Sequence, residues 1–148
     1  TLGKPQITEL IWQNDYDHTD EIAILNALEK RSAHPLAEAI VYYFKDVRLP
    51  YTNITEFKNI SGKGVQGVYD RDIYLAGNLN FILENNIKLS EKQLAETDRL
   101  SSDGNTLILF ASYNSLLAII ALADQLKADV KKTINKIRRV NPIMKIIK

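Results

Sequence analysis

The stretch Ser-Gly-Lys-Gly-Val-Gln-Gly-Val-Tyr-Asp-Arg-Asp-Ile-Tyr-Leu-Ala-Gly-Asn, residues 61–78, says most about the architecture of this chain. β-Branched and aromatic residues concentrate at 65–69 and 73–76, which favours two short strands, and Asp70-Arg71-Asp72 between them favours a turn. A third short strand is expected just upstream, at about 54–60. The centre of the chain is therefore predicted to be β-sheet.

Two helices are expected to precede these strands. The first should run from about residue 20 to 30 with Asp17 or Thr19 as its cap, and the second should begin at Pro35. Both segments carry apolar residues at helical spacing, so each should bury one face. These residues are Ile22, Leu25 and Leu28 in the first helix and Leu36, Ala37, Ile40, Val41 and Phe44 in the second.

Helix and strand patterns alternate downstream. Asn78 is expected to cap a short helix, and Ser90 with Gln93 forms the capping-box pattern of a further helix toward Leu100. Strands separated by short turns and flanked by helix pairs indicate an antiparallel α+β domain. The other expected elements are a loop at 101–105, a hairpin of 106–112 and 116–123 around Asn114-Ser115, a charged helix at about 126–140 and an apolar strand at 143–147.

Length and composition limit the possible classes of protein. A chain of 148 residues can bury the core of one domain, and its 45% hydrophobic and 25% charged content is ordinary for a soluble protein. The net charge of +1 gives no electrostatic reason to expect nucleic acid as a partner. The chain has no cysteine, which excludes disulfides and thiolate metal sites within it. No apolar run is long enough for a membrane span, and no signal-peptide pattern begins the chain.

His34 stands at a position whose backbone conformation can be predicted. The residue before a proline is pushed out of the helical region, and proline is favoured at the first helical position. His34 should therefore be non-helical, just ahead of the helix that Pro35 opens. Glu29 lies five residues earlier, near the end of the preceding helix, so this corner can present a carboxylate and an imidazole to one ligand. A plain surface histidine is the alternative.

Gly62-x-Gly64-x-x-Gly67 matches the glycine spacing of a dinucleotide-binding loop. That loop needs a helix after it, whereas strand and turn residues follow here, so the Rossmann interpretation fails. The other kinase signatures and a Walker-type GxxxxGK[ST] are absent from the chain. Two interpretations remain: the glycines merely allow a tight hairpin, or they let the backbone approach the ribose and phosphates of a nucleotide.

Together these motifs resemble the nucleotide-binding domain of heavy-metal-transporting P-type ATPases, the copper and zinc/cadmium pumps. The flanks add to the likeness, since residues 1–5 resemble the tail of that family's phosphorylation segment and residues 123–127 resemble the return into its phosphorylation domain. The resemblance implies an antiparallel sheet flanked by helical hairpins, with helices covering one face. The residues in the family's order and near its spacing are Glu29, His34, Gly62, Gly64, Gly77 and Asn78.

The resemblance also implies an ATP site. Glu29 would accept a hydrogen bond from the adenine amino group, and the His34 ring would lie against adenine and orient it. Ala33 departs from the family pattern, which commonly has Glu or Gln before this histidine, so one polar group near the pocket is missing. The implied nucleotide-binding residues are Glu29, His34, Gly62, Gly64, Gly67, Gly77 and Asn78, and no metal ligand is expected in this chain.

The resemblance divides the chain into three parts: 1–7, the edge of a phosphorylation domain and a hinge; 8–122, the nucleotide-binding domain; and 123–148, a return segment of helix and strand. The phosphate-accepting aspartate would lie upstream of Thr1, and the magnesium-binding TGD segment beyond Lys148. Because phosphoryl transfer needs both a nucleophile and a metal ion, this chain is expected to bind ATP without hydrolysing it. The phosphorylation and actuator domains would be its partners in a membrane protein, on the cytoplasmic side.

Three alternatives stay open. The transported ion would be copper, which we favour, or zinc/cadmium, and the membrane part that binds it would decide. The chain could instead be a non-catalytic interaction module that kept the fold. An acidic cluster around His18 could hold a cation, although capping and solvation explain it better; it comprises Asp15, Asp17, His18, Asp20 and Glu21. The lysines and arginines of 127–139 favour a solvated helix face over a polyanion site.

Overall fold

The computed structural model describes residues 4–124 and, beyond them, residues 126, 133 and 134. Those last three residues are helical. The remainder of the helix expected at 126–140 and the whole strand expected at 143–147 lie outside the described residues, as do the basic residues between 127 and 139.

A six-stranded antiparallel sheet forms the centre of the molecule. From β2 to β6 each strand lies beside the next strand in sequence, and β1 forms the opposite edge of the sheet by pairing with β6. The strands are β1 Pro5–Trp12, β2 Thr55–Ile60, β3 Gly64–Tyr69, β4 Asp72–Gly77, β5 Thr106–Ser112 and β6 Ser115–Asp124, arranged as β1-β6-β5-β4-β3-β2. The α+β class and the antiparallel sheet are confirmed, and strands β2 to β6 fall within about a residue of their expected bounds.

The hairpin of β3 and β4 turns through Asp70 and Arg71, whose φ angles of 50° and 73° suit the right-handed twist of the strands. The β5–β6 hairpin turns one residue earlier than expected. Ser115 already belongs to β6 and pairs with Ser112, so Tyr113 and Asn114 form the turn.

Strand β1, Pro5–Trp12, was not predicted from the sequence. Its register against β6 shifts between Ile7 and Glu9, which marks a bulge at Thr8. An extra residue reverses the alternation of side chains along a strand, so the apolar residues before and after it do not keep one period. Beyond the bulge, Leu10 and Trp12 pack on the same side of the sheet as Ile7, although the spacing from Ile7 to Leu10 is odd.

Within residues 4–124, four helices accompany the sheet: α1 Thr19–Glu29, α2 Pro35–Tyr43, α3 Leu79–Glu84 and α4 Glu91–Ser102. The caps expected at Asn78 and Ser90 are confirmed, because Asn78 Oδ1 accepts from the Phe81 amide at 2.9 Å and Ser90 forms a complete capping box with Gln93. The loop expected at 101–105 is shorter than that, because α4 continues through Ser102.

The expected cap of α1 was wrong. His18 occupies the N-cap position, and its side chain makes no capping hydrogen bond. Asp17 instead accepts from the amide and hydroxyl of Thr19, at 3.0 and 2.7 Å. A short aspartate bonding two residues ahead is an Asx turn, which competes with the regular capping geometry.

Helices cover both faces of the sheet, which corrects the expectation that they cover one. Alternate residues of β5 show the division: Ile108 and Phe110 pack in the core that contains Leu25, Leu28 and Ile40 of α1 and α2. Leu109 and Ala111 face the opposite way, into the core that contains Phe81 and Ile82 of α3 and Leu100 of α4. β5 and β6 are consequently buried on both faces, and for this reason their sequences are almost continuously apolar instead of alternating.

The boundaries expected at residues 7 and 122 lie opposite each other in the sheet. Ile7 pairs with Leu122, and the pairing of β1 with β6 continues past them to Pro5 and Asp124. Both expected boundaries therefore fall within the paired strands β1 and β6.

Candidate functional site

A cavity of about 260 Å³ opens between the α1–α2 corner and the adjoining ends of the central strands. Its floor includes Val65, Ala76 and Ile108, which belong to the core beneath α1 and α2. Polar groups stand around this apolar floor, an arrangement typical of small-molecule sites. Six of the seven expected binding residues line the cavity together: Glu29, His34, Gly62, Gly64, Gly77 and Asn78.

Glu29 ends α1 and is only 4% exposed. Its Oε2 atom is buried and has no hydrogen-bond partner among the described residues. Burial disfavours the charged form and raises the pKa of this carboxyl to about 7. Because a buried polar atom without a partner costs free energy, a ligand that donates a hydrogen bond here would recover part of that cost.

His34 has the non-helical backbone expected of it, with φ −69° and ψ 138°, and it is the N-cap residue of α2. Its Nδ1 accepts from the Leu36 amide at 3.1 Å, and its own amide donates to Ser32 Oγ at 3.2 Å. Since Nδ1 is an acceptor, a neutral ring carries its proton on Nε2. The cap therefore fixes the orientation of a ring that belongs to the lining of the cavity. This capping role of the His34 side chain was not among the sequence predictions.

Gly64 and Gly77 pair across β3 and β4, and the close approach of the backbone requires glycine at both positions. A Cβ atom on Gly64 would overlap the Ala76 carbonyl oxygen and lie 2.6 Å from Gly77 Cα. A Cβ atom on Gly77 would overlap the Lys63 carbonyl oxygen and lie 2.6 Å from the Phe81 ring. The hairpin interpretation therefore accounts for both glycines without a ligand, although both line the cavity.

Gly62 differs from that pair. Its φ of +75° favours glycine, yet a Cβ atom built there would meet nothing within 4 Å. Asn78 holds the neighbouring backbone in place, since its Nδ2 donates to the Gly62 carbonyl and its amide to the Lys63 carbonyl, both at 2.9 Å. The loop is thus fixed by hydrogen bonds, with open space beside Gly62.

Gly67 is the expected site residue that the structure does not bring to the cavity. A Cβ atom there would overlap Ile54 Cγ2 and lie 3.0 Å from Leu28 Cδ2, so Gly67 lets α1 and the segment before β2 pack onto β3. The apparent G-x-G-x-x-G motif therefore joins two cavity glycines to one packing glycine. The polar residues Ser32, Asn59, Lys63 and Thr106 also line the cavity and were not predicted as site residues. Of these, Lys63 occupies a variable position within the glycine motif, which gives no signal of its own.

Within the acidic cluster, His18 and Glu21 bond to each other and to neighbouring groups. The His18 ring stacks on Trp12 at 3.9 Å, its Nδ1 lies 2.7 Å from Glu21 Oε1, and its Nε2 lies 2.9 Å from the Asn14 carbonyl oxygen. Glu21 also accepts from the Tyr16 hydroxyl at 2.9 Å. Within residues 4–124 and the three described beyond them, no group of three His, Cys, Asp or Glu side chains is placed to hold a metal ion.

The helices of the described part are all too short or too polar to cross a membrane.

Comparison with known proteins gives a family model and several relatives. The haloacid dehalogenase-like hydrolase model matches residues 1–144. A copper-exporting P-type ATPase of Staphylococcus aureus (strain bovine RF122 / ET3-1) is 37% identical over 138 residues, which are 93% of this chain and 16% of that protein. The chain thus spans about a sixth of the length of such relatives.

Solved structures with this fold include a zinc-transporting PIB-type ATPase, with TM-score 0.69 and 23% identity over 93% of this chain and 22% of that one. The N-domain of a copper-transporting P-type ATPase matches with TM-score 0.62 and 16% identity, over 82% of this chain and 100% of the N-domain. The second match covers an isolated domain completely.

Proposed function

Since this chain belongs to the haloacid dehalogenase-like hydrolase family, and within it corresponds to the nucleotide-binding domain of heavy-metal-transporting P-type ATPases, we propose that its cavity binds ATP. Adenine lies on the apolar floor beside Glu29 and His34. The phosphates extend beyond the loop of Gly62 and Gly64. Gly77 and Asn78 shape the rim, and Gly67 supports the strand beneath it.

The observation that carries this proposal is the buried, unpartnered Oε2 atom of Glu29 at the edge of an apolar cavity. The exocyclic amino group of adenine donates hydrogen bonds, and a carboxylate accepts them. Guanine has a carbonyl oxygen at the equivalent ring position, which a carboxylate repels. The site is therefore expected to prefer ATP to GTP.

The intact protein is proposed to be an ATP-driven heavy-metal exporter. ATP, with Mg²⁺, would be presented to an aspartate outside this chain, and the resulting phosphoenzyme would drive ion export. Residues 8–122 would form the nucleotide-binding domain, with 1–7 and 123–148 belonging to the phosphorylation domain. This domain and an actuator domain would be the partners on the cytoplasmic side of the membrane.

Copper is the favoured ion because the curated relatives at 33–37% identity are described as copper-exporting. A zinc/cadmium pump is the second candidate, because a zinc-transporting ATPase shares the fold over 93% of this chain. The membrane part would bind the ion. This chain alone lacks the phosphorylated aspartate and is proposed to bind ATP without hydrolysing it.

An amide NMR titration of the chain with ATP and, separately, with GTP tests the proposal. We expect shifts concentrated around Glu29, His34 and Gly62, saturating at lower concentration with ATP. Glu29→Gln should raise the ATP concentration needed to saturate these shifts, while the spectrum of the free variant remains that of a folded protein. If neither nucleotide shifts these resonances, the nucleotide site is wrong and the interaction-module interpretation is favoured.

A further inference from the structure

Lys63 is the only lysine or arginine among the described residues that line the cavity. It lies between Gly62 and Gly64, at the end of the cavity where the proposed function puts the phosphates. Its ammonium group forms an ion pair with the carboxylate of Glu84, the last residue of α3. The two side chains are 42% and 48% exposed, so this pair lies at the surface of the mouth.

The backbone of Lys63 is held firmly, whereas its side chain has one ionic partner at the surface. The Lys63 amide donates to the Ile60 carbonyl at 3.0 Å, and its carbonyl accepts from the Asn78 amide at 2.9 Å. The Cα atom therefore keeps its place when the side chain turns. An exposed ion pair is worth little free energy, so exchanging one anionic partner for another costs little.

A nucleoside triphosphate offers a stronger anionic partner than Glu84 does. Charge-assisted hydrogen bonds to phosphate are among the strongest in proteins, and the phosphate chain carries several negative charges. Glu84 and the phosphates would also repel each other if both stayed beside one ammonium group. Occupation of the site by a polyphosphate should therefore displace Glu84 from Lys63.

We propose that Lys63 contacts the phosphate chain and that Glu84 competes with the nucleotide for it. Lys63 is thereby a positioning residue for phosphate, and Glu84 lowers the affinity of the site for every nucleotide that carries phosphate, leaving adenosine unaffected. The inference rests on the proposed function, because it needs adenine at the opposite end of the cavity.

Calorimetric titrations of ATP, ADP and adenosine into the wild type, Lys63→Gln, Glu84→Gln and the double variant test the competition. Lys63→Gln should weaken ATP binding by about five- to tenfold and leave adenosine binding unchanged. Glu84→Gln should strengthen ATP binding by about two- to fivefold, the range that exposed ion pairs span. In the double variant that gain should vanish, because the competitor has lost the group for which it competes.

The double variant separates exchange from simple charge removal. If Glu84→Gln still strengthens ATP binding when Lys63 is absent, Glu84 acts by general repulsion and the exchange is refuted. If Lys63→Gln weakens adenosine and ATP equally, Lys63 supports the cavity rather than the phosphates, which also overturns the inference. Failure of the proposed function looks different, because the wild type would then bind neither adenosine nor ATP.

Discussion

Burial of Glu29 makes a quantitative prediction for the pH dependence of stability. The carboxyl has an ordinary pKa of 4.5 in the unfolded chain and a pKa of about 7 in the fold. Between those values the folded state binds the proton that the unfolded state has released, so the free energy of unfolding falls as pH rises. The stabilisation that comes from protonated Glu29 in the fold is fully present below about pH 4.5 and is lost as the pH rises through about 7.

The size of the effect follows from the two pKa values. Each pKa unit corresponds to about 1.4 kcal/mol, so the difference between 4.5 and about 7 amounts to about 3 kcal/mol. Glu29→Gln keeps the shape and a neutral polar group but cannot ionise. The variant should match the wild type at about pH 4.5 and exceed it by about 3 kcal/mol at about pH 8.

Urea unfolding at several pH values, followed by circular dichroism, measures this difference directly. Glu91→Gln is the matched control, because Glu91 is an exposed glutamate in the first turn of α4. Its replacement should change the free energy of unfolding by less than about 1 kcal/mol at any pH, the usual size of a helix-dipole contribution. Parallel pH profiles for the wild type and Glu29→Gln would refute the argument, since the carboxyl would then titrate alike in both states.

Three further predictions concern the cavity. If the Glu29 carboxylate accepts from adenine as proposed, adenosine affinity should fall by up to tenfold for each pH unit below about pH 7 in the wild type and stay level in Glu29→Gln, as calorimetry would measure. His34→Ala should lose about 1 kcal/mol of stability and most of the ATP affinity, whereas His34→Asn retains a capping oxygen and should lose only the affinity; equal melting temperatures for the two would contradict the capping role. Gly64→Ala should destabilise the fold by more than about 2 kcal/mol through backbone overlap, and Gly62→Ala by about 1 kcal/mol through its positive φ, as thermal unfolding would show.

The sequence predicted the elements whose local rules agree with their surroundings. The caps at Asn78 and Ser90 and the hairpins around 70–71 and 113–114 depend on neighbouring residues only, and they appear at or near their expected places. The missed strand β1 contains a bulge at Thr8, and its register is set by β6, more than a hundred residues away. A bulge interrupts the alternation of apolar and polar residues by which a strand is predicted, and the pairing with a distant strand cannot be seen in the local sequence.

The candidate site divides in the same way. His34 was placed correctly because Pro35 dictates its backbone, and the corner with Glu29 follows from the two helices. Gly67 does not line the cavity, and motif spacing does not distinguish a glycine that faces a cavity from one that faces Ile54. The lining role of Lys63 depends on the strand ends that surround it, which only the folded sheet brings together.

Glu29 breaks a rule that the rest of this fold respects, and that contrast is the strongest argument for a ligand. Among the described residues, its Oε2 is the buried side-chain oxygen or nitrogen without a hydrogen-bond partner. The other buried polar side chains, Thr97 and Ser112, both donate to backbone carbonyls, at 2.7 and 3.1 Å. A carboxyl that only destabilised the domain could be replaced by an apolar residue at a gain in stability. Its burial without a partner, at the edge of an apolar cavity beside His34, is what a site shaped for a hydrogen-bond donor requires.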